Sequence, residues 1–73
     1  MINTFSTRRL AERVAEEKNS AISGTYYLNH GEYARPTFSV VKYSDGYAVK
    51  VSYYYYPGTF YAPENHLLTS EEI

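Results

Sequence analysis

The chain has 73 residues, a formal net charge of −1, no cysteine and ten tyrosines. This length predicts one small domain with a thin core, because each tyrosine hydroxyl needs water or a hydrogen-bond partner. The lack of cysteine excludes disulfides and thiolate metal sites, and the near-neutral charge is typical neither of nucleic-acid-binding proteins nor of acidic DNA mimics. No apolar run approaches the roughly 20 residues that span a bilayer, so we expect a soluble, cytoplasmic protein without membrane contact. We also expect it to be a monomer without a cofactor.

The stretch NTFSTRRLAERVAEEKNSA is the only one with helical periodicity. It predicts a helix from about Thr7 to Lys18, with Leu10 and Val14 on its apolar side, Ala11 and Ala15 beside them, and Ser6 or Thr4 as the N-cap. An isolated helix of this length is marginal in water, so we expect it to dock on another element.

The charges of this helix run against its dipole, with two arginines in the first turn and two glutamates near the predicted end. Pairs four residues apart, Arg8 with Glu12 and Arg13 with Glu17, would compensate in part. One interpretation is a solvated charged face; the other is a segment that is poorly ordered alone and folds on an acidic, partly apolar partner. The partner-facing residues would then be Phe5, Arg8, Arg9, Leu10 and Arg13.

After Asn19 the composition changes to β-prone residues with a period of two, which indicates a sheet. We predict a first strand near Thr25 to Leu28, a turn at Asn29 to Gly31 and a second extended segment entered around Tyr33. Because proline has no N–H group, pairing between these two strands should end before Pro36.

The segment PTFSVVKYSDGYAVKVSYYYYPG predicts a hairpin with Asp45-Gly46 as a two-residue loop. This loop would place Val40 opposite Val51, whereas a three-residue loop would pair Val40 with Lys50 and scatter the apolar residues. The two-residue loop gathers one apolar face, made of Phe38, Val40, Val49, Val51, Tyr53 and Tyr55.

Two rings of the tyrosine run, Tyr54 and Tyr56, point to the other face in this register. Pro57-Gly58 suits a type II turn, after which TFYA would return as a short strand with Tyr61 beside Tyr54. The acidic tail, residues 63–73, is expected to be mostly disordered. The predicted fold is therefore α+β: one domain with a helical segment at 1–20 and a three- to four-stranded antiparallel sheet at 24–62.

An enzyme is not expected, because a small sheet with one helix provides little concavity and no catalytic spacing is present. The two histidines, His30 and His66, are interpreted as solvated residues. Single-stranded nucleic acid remains an alternative, since Tyr54, Tyr56 and Tyr61 with Lys50 could form a stacking surface, although cations are few between residues 21 and 62.

A protein partner suits the outward rings better, because tyrosine supplies large contact area with few rotors and a polar tip. The competing structural interpretation is that the helix or a flanking segment packs across the second face and covers Tyr54 and Tyr56.

The chain from MINTFSTRRLAERVAEEK through VVKYSDGYAVKVSYYYYPG resembles the small transcription regulators of lytic Xanthomonas phages. The resemblance implies binding to host RNA polymerase at the N-terminal part of the β′ subunit near the RNA exit channel. It also implies inhibition of initiation, antitermination and a secondary contact with RNA. Another host protein is the alternative partner.

Overall fold

A computed structural model describes residues 1–21, 26–27, 33–55 and 64–73 of the chain. The N-terminal helix α1 spans Arg8–Ala21, and four antiparallel strands follow in the sheet order β1-β2-β3-β4. The strands are β1 (Tyr26–Tyr27), β2 (Tyr33–Tyr43), β3 (Gly46–Tyr55) and β4 (His66–Leu67). The predicted class, α+β with a small antiparallel sheet and one helix, is confirmed.

Some predicted features lie outside the described residues. They are the turn at Asn29–Gly31, the Pro57-Gly58 turn, Tyr56, and the return strand with Tyr61. Among the described residues, no helix is long and apolar enough to cross a membrane.

Helix α1 begins one residue after its cap. The backbone N–H of Leu10 donates to Thr7 Oγ1 at 3.3 Å, so the N-cap is Thr7 and not Ser6 or Thr4. The helix continues past the predicted end at Lys18 as far as Ala21. Because of this extension, the last turn contains a basic residue, Lys18, and the predicted charge reversal at this end does not occur.

Two alanines dock α1 on the sheet. Ala11 and Ala15 are buried against a core formed by Val49, Val51 and Leu68. Small side chains on this face let the helix backbone approach the strands closely, and Val14 packs beside them, half-buried. The helix is thus the lid of the apolar face.

Strands β2 and β3 form the predicted hairpin with a register that differs by two residues. Val40 lies opposite Val49, not Val51, and the loop consists of Ser44 and Asp45. A shift of two residues preserves the side-chain parity, so the predicted apolar face survives intact where its side chains are described. Its members Phe38, Val40 and Tyr53 are half-buried against the core, and Val49 and Val51 are fully buried.

Gly46 explains the register. It is the first residue of β3 and pairs with Tyr43, so it does not occupy the loop. A Cβ atom at this position would lie 2.5 Å from the carbonyl oxygen of Phe5, whose backbone pairs with Tyr47. The glycine is required by this close approach, and the positive φ of the loop, 54°, falls on Ser44.

Residues 64–73 correct the prediction of a disordered tail. Strand β4 pairs with β3, with Lys50 opposite Leu67. The N–H of Leu68 donates to the carbonyl of Val49 at 2.8 Å, and the Leu68 side chain is 3% exposed. Leu67 and Leu68 stand alone in a polar stretch, so they show no hydrophobic periodicity that would indicate a strand. In the fold, Leu67 pairs with β3 and Leu68 packs in the core.

Two asparagine side chains form hydrogen bonds with the backbones of strands β2 and β3. The Asn19 amide donates to the carbonyl of Phe38 and accepts its N–H, both at 2.9 Å. The N–H of Tyr53 donates to Asn65 Oδ1 at 2.9 Å. Within the described residues, β1 pairs with β2 at Tyr33 and Ala34; the residues that would lie opposite Pro36 are outside the described part of the chain, so the predicted end of this pairing stays a prediction.

Candidate functional site

The exposed side of α1 carries Arg8, Arg9, Leu10 and Arg13, half of the residues predicted to meet a partner. Arg8, Arg9 and Arg13 are exposed, and Leu10 is 46% exposed. Leu10 therefore does not help to dock the helix, although the sequence pattern places it on the apolar side. Because the opposite side of α1 is fixed by the buried alanines, these side chains project from a rigid base.

Arg8 is engaged within the helix. Its Nε donates to Glu12 Oε2 at 3.3 Å, which is one of the two ion pairs predicted from spacing. The side chains are 59% and 48% exposed, so the pair is solvated and contributes little to stability. No ion pair of Arg13 with Glu17 occurs in the described part of the chain.

Arg9 and Arg13 line an open groove of about 470 Å³ together with Glu12 and Glu16. These four residues follow the three- and four-residue spacing of one helix side, with basic and acidic groups alternating. The surface is consequently of mixed charge, which differs from the purely basic surface expected from the arginines alone. It fits a partner that presents both acidic and basic groups to it.

Phe5 has a structural role beside this surface. Its N–H donates to the carbonyl of Tyr47 at 2.8 Å, and its own carbonyl accepts the N–H of Tyr47 at 2.9 Å. The Phe5 side chain is half-buried against the core. It fixes the chain just before the arginines.

Tyr54 lies on the other side of the sheet. It alternates along β3 with the buried Val51 and half-buried Tyr53, and it is 66% exposed. Helix α1 does not cover it, because the helix packs on the face that carries Val51. The predicted site residues that the structure describes thus divide into the exposed α1 side chains, the half-buried Phe5, and Tyr54 on the opposite face of the sheet.

Arg35 faces Tyr54 directly across the β2–β3 ladder, and both side chains are exposed. Sequence spacing did not bring these residues together, because the register error placed Arg35 opposite a different residue. Their alignment places a cation beside an aromatic ring on the outer face.

A polar cluster near the end of the chain was also missed. His66 Nε2 lies 3.0 Å from Glu72 Oε2, and the other carboxylate oxygen accepts the N–H of Thr69 at 2.9 Å. The signal was present in TSEE, since Thr-x-x-Glu is the capping-box pattern in which the glutamate reaches back to the threonine N–H. The described residues contain no group of three or more side chains placed to hold a metal ion.

Comparison with known protein families, curated proteins and solved structures found no match to this chain.

Proposed function

We propose that this chain is a non-catalytic regulator that binds host RNA polymerase, inhibits initiation and promotes antitermination. The observation that carries the proposal is the position of Arg9 and Arg13, exposed one turn apart on a helix whose other side is locked by Ala11 and Ala15. The resemblance of the sequence to small phage regulators supports the choice of partner.

The binding surface consists of the exposed side of α1. Arg9 and Arg13 provide charge-assisted hydrogen bonds to acidic groups, and the neighbouring Glu12 and Glu16 select a partner with complementary basic groups. Leu10, nearly half-exposed, adds apolar contact beside them. On this proposal, the contact lies on the N-terminal part of the β′ subunit near the RNA exit channel, and RNA is a secondary contact.

Replacement of Arg9 and Arg13 by glutamine tests this surface. Glutamine retains helix propensity and leaves the Arg8–Glu12 pair in place, so folding should be unaffected. We expect the double variant to bind purified host RNA polymerase at least about tenfold more weakly by biolayer interferometry, while its thermal midpoint stays unchanged.

The matched control is Arg35→Gln with Lys42→Gln, which removes the same charge from exposed positions of β2. This control should bind with wild-type affinity. Equal affinity of wild type and the α1 double variant would remove the helix from the site. Failure of the wild type itself to bind polymerase would reject the partner.

The facing pair of Arg35 and Tyr54 favours single-stranded nucleic acid as the second candidate function. A guanidinium beside an exposed ring can contact phosphate and stack on a base. In that case the β2 control variant, and not the α1 variant, would lose binding to an RNA oligonucleotide, and the loss would shrink with rising salt. Another host protein is the remaining alternative.

A further inference from the structure

The imidazole of His66 lies between two groups that only accept hydrogen bonds. Nδ1 lies 2.9 Å from the backbone carbonyl oxygen of Glu64, and Nε2 lies 3.0 Å from Glu72 Oε2. A carbonyl oxygen and an ionised carboxylate have no proton to donate, so both contacts are hydrogen bonds only when both ring nitrogens carry one. This geometry selects the imidazolium cation.

The carboxylate of Glu72 also closes the turn that follows β4. Its Oε1 accepts the backbone N–H of Thr69 at 2.9 Å and the Thr69 hydroxyl at 3.2 Å. The N–H of Glu72 donates in return to the Thr69 carbonyl at 3.0 Å. His66 and Thr69 are therefore held by the two oxygens of one carboxylate.

This turn holds the beginning of the chain. Thr69 forms an antiparallel bridge with Ile2, and the N–H of Ser70 donates to the Met1 carbonyl at 3.0 Å. The N–H of Asn3 donates to the Leu68 carbonyl at 3.0 Å, and the Ser70 hydroxyl donates to Asn3 Oδ1 at 3.3 Å. A change in the turn therefore acts on residues 1–3.

We propose that His66 and Glu72 form a pH-sensitive clasp that fastens the C-terminal turn to the N-terminal segment. The clasp is closed while His66 is protonated and Glu72 is ionised, and it opens when either charge is lost. Loss of the proton from His66 leaves one ring nitrogen with a lone pair facing an acceptor. The turn then separates from His66, and the bonds of Ser70 to the first residues weaken.

Among the described residues around His66, Glu72 is the charged side chain that contacts the imidazole. Across the ladder, the residue opposite His66 is the apolar Val51, and Lys50 lies opposite Leu67. The side chains of Glu64 and Glu71 are exposed, and within the described part of the chain neither they nor any charged residue of α1 bonds to the ring.

The pKa directions follow this geometry. The backbone carbonyl of Glu64, and then the Glu72 carboxylate, raise the pKa of His66 above its ordinary 6.5. The N–H of Thr69, and then His66, lower the pKa of Glu72 below its ordinary 4.5.

Each of these two pKa shifts sets one end of the pH range in which the clasp is closed. Because the pKa of His66 is raised, the clasp stabilises the folded protein fully below about pH 6.5, and this stabilisation is lost as the pH rises through the pKa of His66 in the folded state. Because the pKa of Glu72 is lowered, its ionised form stabilises the folded protein above about pH 4.5, and this stabilisation is lost as the pH falls through the pKa of Glu72 in the folded state. The clasp is thus strongest between these limits.

The test is an NMR titration of the full chain. We expect the His66 ring to titrate above 6.5, and Glu72→Gln to move that midpoint down towards 6.5. Between pH 6 and 8.5, the hydrogen-exchange protection of the Thr69 and Ser70 amides should fall by about two- to fivefold, the range of a surface ion pair. The Leu68 amide, which is bonded to Val49, should keep its protection.

Glu71→Gln is the matched control, because it removes the same charge one residue away without touching the imidazole. It should leave the His66 midpoint and the pH dependence of protection as in the wild type. A His66 midpoint at or below 6.5, or Thr69 and Ser70 protection that follows Leu68 at every pH, would overturn the clasp. So would equal effects of the two variants.

Discussion

At the scale of single residues, Gly46 is a position where the absence of a Cβ atom allows the Phe5 backbone to pack against β3. The carbonyl oxygen of Phe5 occupies the space that a Cβ atom would need. This oxygen accepts a hydrogen bond from Tyr47 at 2.9 Å, so it cannot retreat without breaking the bridge that holds the residues before α1.

We expect Gly46→Ala to destabilise the protein by about 1–3 kcal/mol, the usual cost of forcing atoms into a packed site. The measurement is urea unfolding followed by circular dichroism. Asp45→Ala, in the exposed loop next to it, should change stability by no more than about 0.5 kcal/mol. Equal midpoints for Gly46→Ala and wild type would show that the N-terminal segment does not approach β3 so closely.

The same glycine shows why the register could not be predicted. Asp-Gly is a strong local signal for a two-residue loop. In this chain, however, position 46 must be glycine because the Phe5 backbone, about forty residues away in sequence, packs against it. The faces were predicted correctly because alternation depends only on parity. The buried tail residue Leu68 was missed for a related reason, since its partners Ala11 and Val49 lie far away in sequence.

At the scale of elements, α1 is as much a structural part as a binding surface. It covers Val49 and Val51 with two alanines, and Asn19 near its end occupies the β2 edge at Phe38. The sequence indicated the helix and its exposed arginines from local spacing. It did not indicate the docking face, because alanine and leucine at neighbouring positions satisfy the same periodicity.

Removal of residues 1–21 should therefore abolish cooperative unfolding. The deletion exposes the two buried valines and leaves the Phe38 backbone without its asparagine partner. Thermal melting with one-dimensional NMR provides the measurement, and the Arg9→Gln, Arg13→Gln variant provides a control that should melt normally. A truncated chain with dispersed amide resonances and a sharp transition would mean that the sheet folds without its lid.

At the scale of the whole molecule, the core draws on both ends of the chain. Its buried members are Ala11 and Ala15 from α1, Val49 and Val51 from β3, and Leu68 after β4. The fold class was predictable because it depends on local periodicity and turn residues. The site was only partly predictable, because which side chains share a surface depends on docking and register.

The pairing of the first three residues with residues 68–70 has a consequence for how the protein folds. Asn3 and Ser70 touch although 67 positions separate them, so a linear chain must close a very long loop before this contact stabilises anything. Connecting Ile73 to Met1 through a short Gly-Ser linker would make that encounter local. Such a backbone-cyclised protein should refold faster in stopped-flow experiments and gain on the order of 2–4 kcal/mol, as for other cross-links that close long loops. A linear chain with the same linker at one end is the control, and identical refolding rates would indicate that the two ends meet only after the rate-limiting step.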